Sequence, residues 1–112
     1  SSRASVGLET RSAYSYSKAG IIGMARTWAL ELAPFGITVN TVAPGPVLTD
    51  QFWGLVEKNS ADQVKIAASL PVRRIGKPED VARAILFFSD PENSYVTGQT
   101  LYVCGGSSIA SG

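Results

Sequence analysis

The sequence predicts a parallel α/β sheet, and three observations carry that expectation. A long helical pattern leads through a short turn into a β-branched apolar run, Ile37 to Ala43. A second run follows at Gln99 to Val103, more than forty residues later. The residues between them read as helices, and strands joined that way run parallel with right-handed crossovers. Both runs are apolar enough to need cover on both faces and neighbours on both edges, which two strands cannot provide for each other. The 112 residues therefore read as part of a larger α/β domain whose N-terminal part lies outside them. A start at Ser1, with neither Met nor a signal-peptide pattern, fits the same expectation.

Residues 1–12 are small and polar, with Gly7 among them, and read as a loop. Ser12 is a suitable N-cap for a helix beginning near Ala13. Tyr14, Lys18, Ile21, Ile22, Ala25, Trp28, Ala29 and Leu32 recur at three- and four-residue steps on one face, with Arg26 and Glu31 away from it. Pro34 and Gly36 end that helix. Pro44-Gly45-Pro46 stops the strand that follows. Thr49 or Asp50 can cap a short helix carrying Phe52, Trp53, Leu55 and Val56, and Ser60 can cap another reaching about Ser69. Pro78 suits a first helical turn, where Glu79 and Asp80 complement the helix dipole. Val81, Ala82, Ile85 and Phe88 give that helix its apolar face, and Pro91 closes it. The last strand, Gln99 to Val103, runs into Cys104-Gly105-Gly106 and a tail of serines and glycines.

Composition narrows the function. With 45% apolar and only 17% charged residues, the chain is globular. Ten basic against nine acidic residues leave a formal charge of +1, and the basic residues are scattered apart from Arg73, Arg74 and Lys77. No nucleic-acid partner is expected. The longest nearly apolar stretch, Val81 to Phe88, is broken by Arg83 and falls far short of the roughly 20 residues of a bilayer helix, so no membrane partner is expected either. Cys104 is the only cysteine and histidine is absent, which excludes an internal disulfide, a Cys/His metal cluster and a His-based triad within these residues.

Acid–base chemistry must then use other groups. Tyr14 and Lys18 stand four apart, one turn above the other on a helix. A phenol with a pKa near 10 is a poor proton carrier at neutral pH, whereas an ammonium beside it stabilises the phenolate and makes it usable. The plainer alternative is a half-buried aromatic with a lysine snorkelling past it.

Tyr14-Ser15-Tyr16-Ser17-Lys18-Ala19-Gly20 resembles the Tyr-x-x-x-Lys signature of the short-chain dehydrogenase/reductase family. Ser1 lies thirteen residues before Tyr14, the spacing of that family's catalytic serine, with Ser2 as the competing position. Asn40 to Thr49 (NTVAPGPVLT) resembles the family's cofactor loop, and Pro71 to Ala82 and Val96 to Gln99 are similar to its later recurrent segments. The resemblance covers nearly the whole chain in order and spacing.

It implies a Rossmann-type doubly wound parallel sheet, of which residues 1–112 are the C-terminal part. The implied activity is hydride transfer between NAD or NADP and a small-molecule alcohol or carbonyl substrate. In that reading Tyr14 is the general acid or base, Lys18 lowers its pKa and binds the nicotinamide ribose, and Ser1 holds the substrate oxygen. Pro44, Gly45, Val47 and Thr49 line the nicotinamide side. Alternatively, Pro44 and Gly45 simply end a strand and Thr49 caps a helix. Phe52, Trp53 and Val56 either cover the substrate or pack the core. Asn40 reads as structural, and Arg73, Arg74 and Lys77 have no site role. Cys104 stands where the family commonly has Asp and reads as a buried thiol. The resemblance also implies a cytoplasmic homo-oligomer, a dimer or tetramer. Gly20, Gly23, Ala29 and Ala33 are then close-approach sites on the first helix, and Phe87, Tyr95 and Tyr102 provide apolar area near the last strand; each could equally be cover for the rest of the domain. The family's Gly-rich phosphate loop and its coenzyme-selecting residue have no counterpart among these residues. The alternative function is accordingly a non-catalytic α/β piece that acts only by association.

Overall fold

A computed structural model describes residues 12–48 and 61–110, with side chains from residue 19 onward. Helix α1 spans Ser12–Leu32, strand β1 Thr41–Pro44, helix α2 Ala61–Ser69, helix α3 Pro78–Ser89 and strand β2 Thr100–Val103. The expected short helix around Phe52 and Trp53 lies outside the described residues. β1 and β2 pair in parallel, with Thr41 opposite Thr100 and Pro44 opposite Val103. The order helix, strand, helices, strand and the parallel pairing are as the sequence predicts.

α1 runs without a break for 21 residues. Pro34 then tightens the chain into a 3-10 turn, Ala33–Phe35, and Gly36 at φ 75° closes it by donating its N–H to the Ala33 carbonyl at 3.0 Å. That left-handed conformation suits glycine and ends the helix. The buried stripe of α1 is narrower than the sequence suggests. Ala25 and Ala29 are buried and Ile22 and Leu32 half-buried, whereas Ile21 and Trp28 are about half exposed. Ala29 is 2% exposed and lies 3.6 Å from where a Cβ on Gly98 would stand. It is therefore internal cover, in keeping with its place on the apolar face of α1, and not a close-approach site. Gly20 and Gly23 have nothing within 4 Å of their Cβ positions.

The first strand is shorter than expected. Residues 37–40 are joined to the loop 96–99 through side chains and a turn instead of a ladder. Val39 N–H donates to Thr97 Oγ1 at 3.0 Å, and Gly98 N–H donates to the Val39 carbonyl at 2.8 Å. The Asn40 amide bridges the same loop, donating from Nδ2 to the Val96 carbonyl and accepting the Gln99 N–H at Oδ1, both at 3.1 Å. Gly98, at φ 72°, turns the chain there, so regular pairing begins only at Thr41 and Thr100. Asn40 is thus structural, as its sequence context suggests.

α3 starts as predicted. Pro78 opens it and the Asp80 carboxylate reaches back to accept the Lys77 N–H at 2.8 Å. Its buried side differs from the expected one. Ala84 is buried, with Val81 and Phe88 half-buried in step with it, while Ala82 and Ile85 are exposed. A small residue at position 84 lets the helix sit close over both strands, and the i, i+3, i+7 stripe through it takes the inward side.

Replacing Asn40 by Ala removes both bridges from a half-buried position. This should cost about 1–3 kcal/mol in urea unfolding, and an unchanged midpoint would show that the clamp carries no weight.

Candidate active site

Tyr14, Lys18, Pro44, Gly45 and Val47 fall within the described residues. Tyr14 and Lys18 fall on the first two turns of α1, four residues apart on one unbroken helix. Ser1, Ser2 and Thr49, and the covering residues Phe52, Trp53 and Val56, lie outside the described residues. Pro44, Gly45 and Val47 form a defined loop at the carboxyl end of β1, the end at which open parallel sheets bind their ligands.

That loop is held at three points. Gly45 N–H donates to the Val103 carbonyl at 2.9 Å, Gly76 N–H to the Pro46 carbonyl at 3.0 Å, and Leu48 N–H to the Gly76 carbonyl at 2.9 Å. Val47 and Gly76 consequently form an isolated parallel bridge. A Cβ on Gly45 would lie 2.8 Å from both Cα and Cβ of Cys104 and 3.3 Å from Ser107 Oγ. The sequence argument explained Gly45 by the approach of a flat ligand. The structure supplies a further reason, since β2 ends directly against it.

Gly76, Cys104 and Ser107 are the loop's supports that sequence reasoning did not assign. The only signal available was the glycine content of the two segments. Their contact with the loop depends on strand register, which no local pattern encodes.

Cys104 is buried, and its Sγ lies 3.3 Å from Ser108 Oγ. Burial pushes the thiol pKa up. Hydrogen bonds from the Ser108 hydroxyl and N–H, the Gly106 N–H and the Ser107 hydroxyl outweigh it, and the net direction is downward. The sulfur therefore gathers the polar groups of the turn that follows β2.

In the basic cluster, Arg74 is paired with an acidic residue. Arg74 makes two hydrogen bonds to Asp80, at 2.9 and 3.2 Å, and Arg83 adds one at 3.2 Å. The Arg74 hydrogen bond, with the Lys77 N–H beside it, holds the Asp80 carboxyl far below the usual carboxylate range. Arg73, at φ 60°, turns the chain between α2 and this cluster and donates to the Ala68 carbonyl. Among the described residues, no group of three or more His, Cys, Asp or Glu is placed to hold a metal, and no helix is long and apolar enough to cross a membrane.

A carboxylate whose folded pKa is depressed stabilises above its unfolded pKa, and loses that contribution as pH falls through the folded value. The stability difference between the protein and its Asp80→Asn variant should therefore be constant from neutral pH to about pH 5, and shrink below about pH 4. Chemical unfolding across that range checks it, and a difference that grows in acid would contradict the assignment.

Comparison with known proteins agrees with this geometry. A family model described as enoyl-(acyl carrier protein) reductase matches residues 1–108. The chain is 45% identical over 111 residues to subunit BbsD of the (2S)-[(R)-hydroxy(phenyl)methyl]succinyl-CoA dehydrogenase of Thauera aromatica, covering 99% of this chain and 44% of that protein. It is 48% identical over 93 residues to the 3-oxoacyl-[acyl-carrier-protein] reductase FabG of Thermotoga maritima, covering 83% and 37%. Among solved structures, YwfH, an NADPH-dependent reductase involved in bacilysin biosynthesis, superposes with a TM-score of 0.78 at 36% identity, covering 83% of this chain and 38% of that one. A short-chain dehydrogenase/reductase family protein does so with a TM-score of 0.72 at 41% identity, covering 88% and 39%. The chain thus spans less than half the length of these curated relatives. With sequence and structure matching over the same stretch, the chain belongs to the short-chain dehydrogenase/reductase family, and its helices and parallel strand pair are part of a Rossmann-type α/β fold.

Proposed function

We propose that these residues form the proton-transfer and nicotinamide-side half of an NAD(P)-dependent short-chain alcohol dehydrogenase or ketone reductase. The rest of its single Rossmann domain precedes Ser1. The observation that carries this reading is the family match over residues 1–108, which spans the Tyr14/Lys18 pair on α1 and the Pro44–Gly45 loop at the end of β1.

The residues present fit the nicotinamide end of a dinucleotide. Their loop lies at the carboxyl end of a parallel strand, its backbone is fixed by three hydrogen bonds, and Gly45 presents no side chain. They do not include the Gly-rich turn that holds a pyrophosphate. When bound, the nicotinamide supplies or accepts the hydride. Tyr14 exchanges a proton at its phenolic oxygen with the substrate hydroxyl or carbonyl. The Lys18 ammonium lowers the phenol's pKa and binds the nicotinamide ribose. Ser1, with Ser2 as the competing position, donates to the substrate oxygen and steadies the charge that develops there. Pro44, Gly45, Val47 and Thr49 hold the nicotinamide face.

For the substrate, BbsD and FabG both act, by their names, on acyl groups carried on coenzyme A or acyl carrier protein. This supports an alcohol or ketone on a carrier-bound acyl chain. The enzyme works as a homo-oligomer, for which the open positions at Gly20 and Gly23 of α1 offer close approach.

In the enzyme extended by its N-terminal half, Tyr14→Phe should lower turnover of a 3-oxoacyl thioester by about 10²–10⁴-fold, with cofactor affinity largely unchanged. Turnover equal to wild type would remove Tyr14 from the reaction, and preference for a simple ketone would remove the substrate class. Residues 1–112 alone should give no binding heat with NADH or NADPH in calorimetry. Micromolar binding by them would refute the division of labour.

A further inference from the structure

The turn after β2 does more than end the sheet. Cys104 packs against Gly45 so closely that no Cβ fits between them, and Ser107 stands next to the same point. From the other side the turn is held by the segment leaving α2. A Cβ on Gly105 would lie 2.6 Å from Val72 Cγ2, and one on Gly106 would lie 2.8 Å from Pro71 Cγ. Val72 N–H also donates to the Gly105 carbonyl at 3.2 Å. Gly105 and Gly106 have φ of 61° and 92°, so both the backbone conformation and the lack of space call for glycine.

Three chain segments distant in sequence therefore meet in one stack: Gly45, then the turn Cys104–Gly106, then Pro71–Val72. The contacts run through Cα and Cβ of Cys104, the ring of Pro71 and Cγ2 of Val72, so the stiff proline ring and the short β-branched side chain carry a displacement from one segment to the next.

We propose that Gly105 and Gly106 are positioning residues: wedged between Pro71–Val72 and Cys104, they fix where the Gly45 backbone stands and thereby set the nicotinamide-side loop. The Cys104 thiol bonded to Ser108 Oγ and the Ser107 N–H bonded to the Cys104 carbonyl keep the turn in one piece, so that pressure from Pro71 or Val72 reaches Gly45. The cofactor part of this inference rests on the function proposed above, whereas the mechanical link does not.

The test is site-resolved amide hydrogen exchange on the full chain, together with the KM for the nicotinamide cofactor and kcat in the extended enzyme. It compares Gly106→Ala, the milder Val72→Ala, and Gly36→Ala as a control. Gly36 also has a positive φ, 75°, but has nothing within 4 Å of its Cβ position. Gly106→Ala should speed exchange of the Gly45 N–H by about tenfold and Val72→Ala by about threefold, with little change at Leu48, whose partner is Gly76. The KM for the cofactor should rise about fivefold with a smaller change in kcat, and Gly36→Ala should do neither. If Gly106→Ala does not fold, Val72→Ala decides alone. Gly45 exchange at the wild-type rate in Val72→Ala, or acceleration spread equally over Gly45, Leu48 and Gly98, would overturn the inference. Local acceleration at Gly45 without any cofactor binding by the wild-type enzyme would uphold the link and fail the proposed function instead.

Discussion

Everything in this structure is arranged around the close approach of two parallel strand ends. The Gly45 N–H bonds the Val103 carbonyl, and the next residue of each strand, Gly45 and Cys104, touch backbone to backbone. Parallel pairing puts both carboxyl ends on one edge of the sheet, and that edge is where ligands of open α/β sheets bind. The small buried residues follow from the same closeness. Ala43 in β1, Ala84 on α3 and Ala29 on α1 are buried, and the last two sit where helix and chain pass near the strands or the loop that leads into them. Larger side chains at these points would hold the layers apart.

The sheet end is also where stiffness is concentrated. Loop residues 45–48 are pinned by Val103 and Gly76, and Gly76 leads into the Lys77–Asp80 cap of α3. Asp80 therefore serves two neighbours at once, closing the first turn of α3 and anchoring Arg74 two residues before Gly76. At the other end of β1, Asn40 and Thr97 join the incoming chain to the turn before β2. Both strands are only four residues long, so these side-chain bridges supply fixation that a longer ladder would otherwise give.

Local signals were the ones legible in the sequence. Pro34 with Gly36 and Pro78 with Asp80 fix a helix end and a helix start through short-range chemistry, and the structure places both as expected, while the β-branched run before Pro44 holds a strand that begins only at Thr41. Periodicity was less exact. It assigned Ile21, Trp28, Ala82 and Ile85 to buried faces, whereas these are exposed and the buried helix positions are the alanines 25, 29 and 84. The onset of β1 at Thr41 was hidden, since Val39 and Asn40 have strand-like neighbours but donate to Thr97 and Val96 and accept from Gly98 and Gln99. The supports of the loop after β1 were hidden for the same reason: Cys104 reaches Gly45, and Gly76 reaches Pro46 and Leu48, only through the fold. For the proposed site, Tyr14 and Lys18 could be singled out because one helical turn separates them, and Pro44–Gly45 because Pro-Gly-Pro ends a strand.

The central claim is that the α1 pair and the loop after β1 belong to one nicotinamide site. A crystal structure of the extended enzyme with NADH or NADPH tests it most directly. The account places the nicotinamide ring against the Gly45 backbone, with its ribose at Lys18 and the Tyr14 phenol facing the hydride-bearing side. A cofactor bound with its nicotinamide away from both Gly45 and Tyr14 would contradict it.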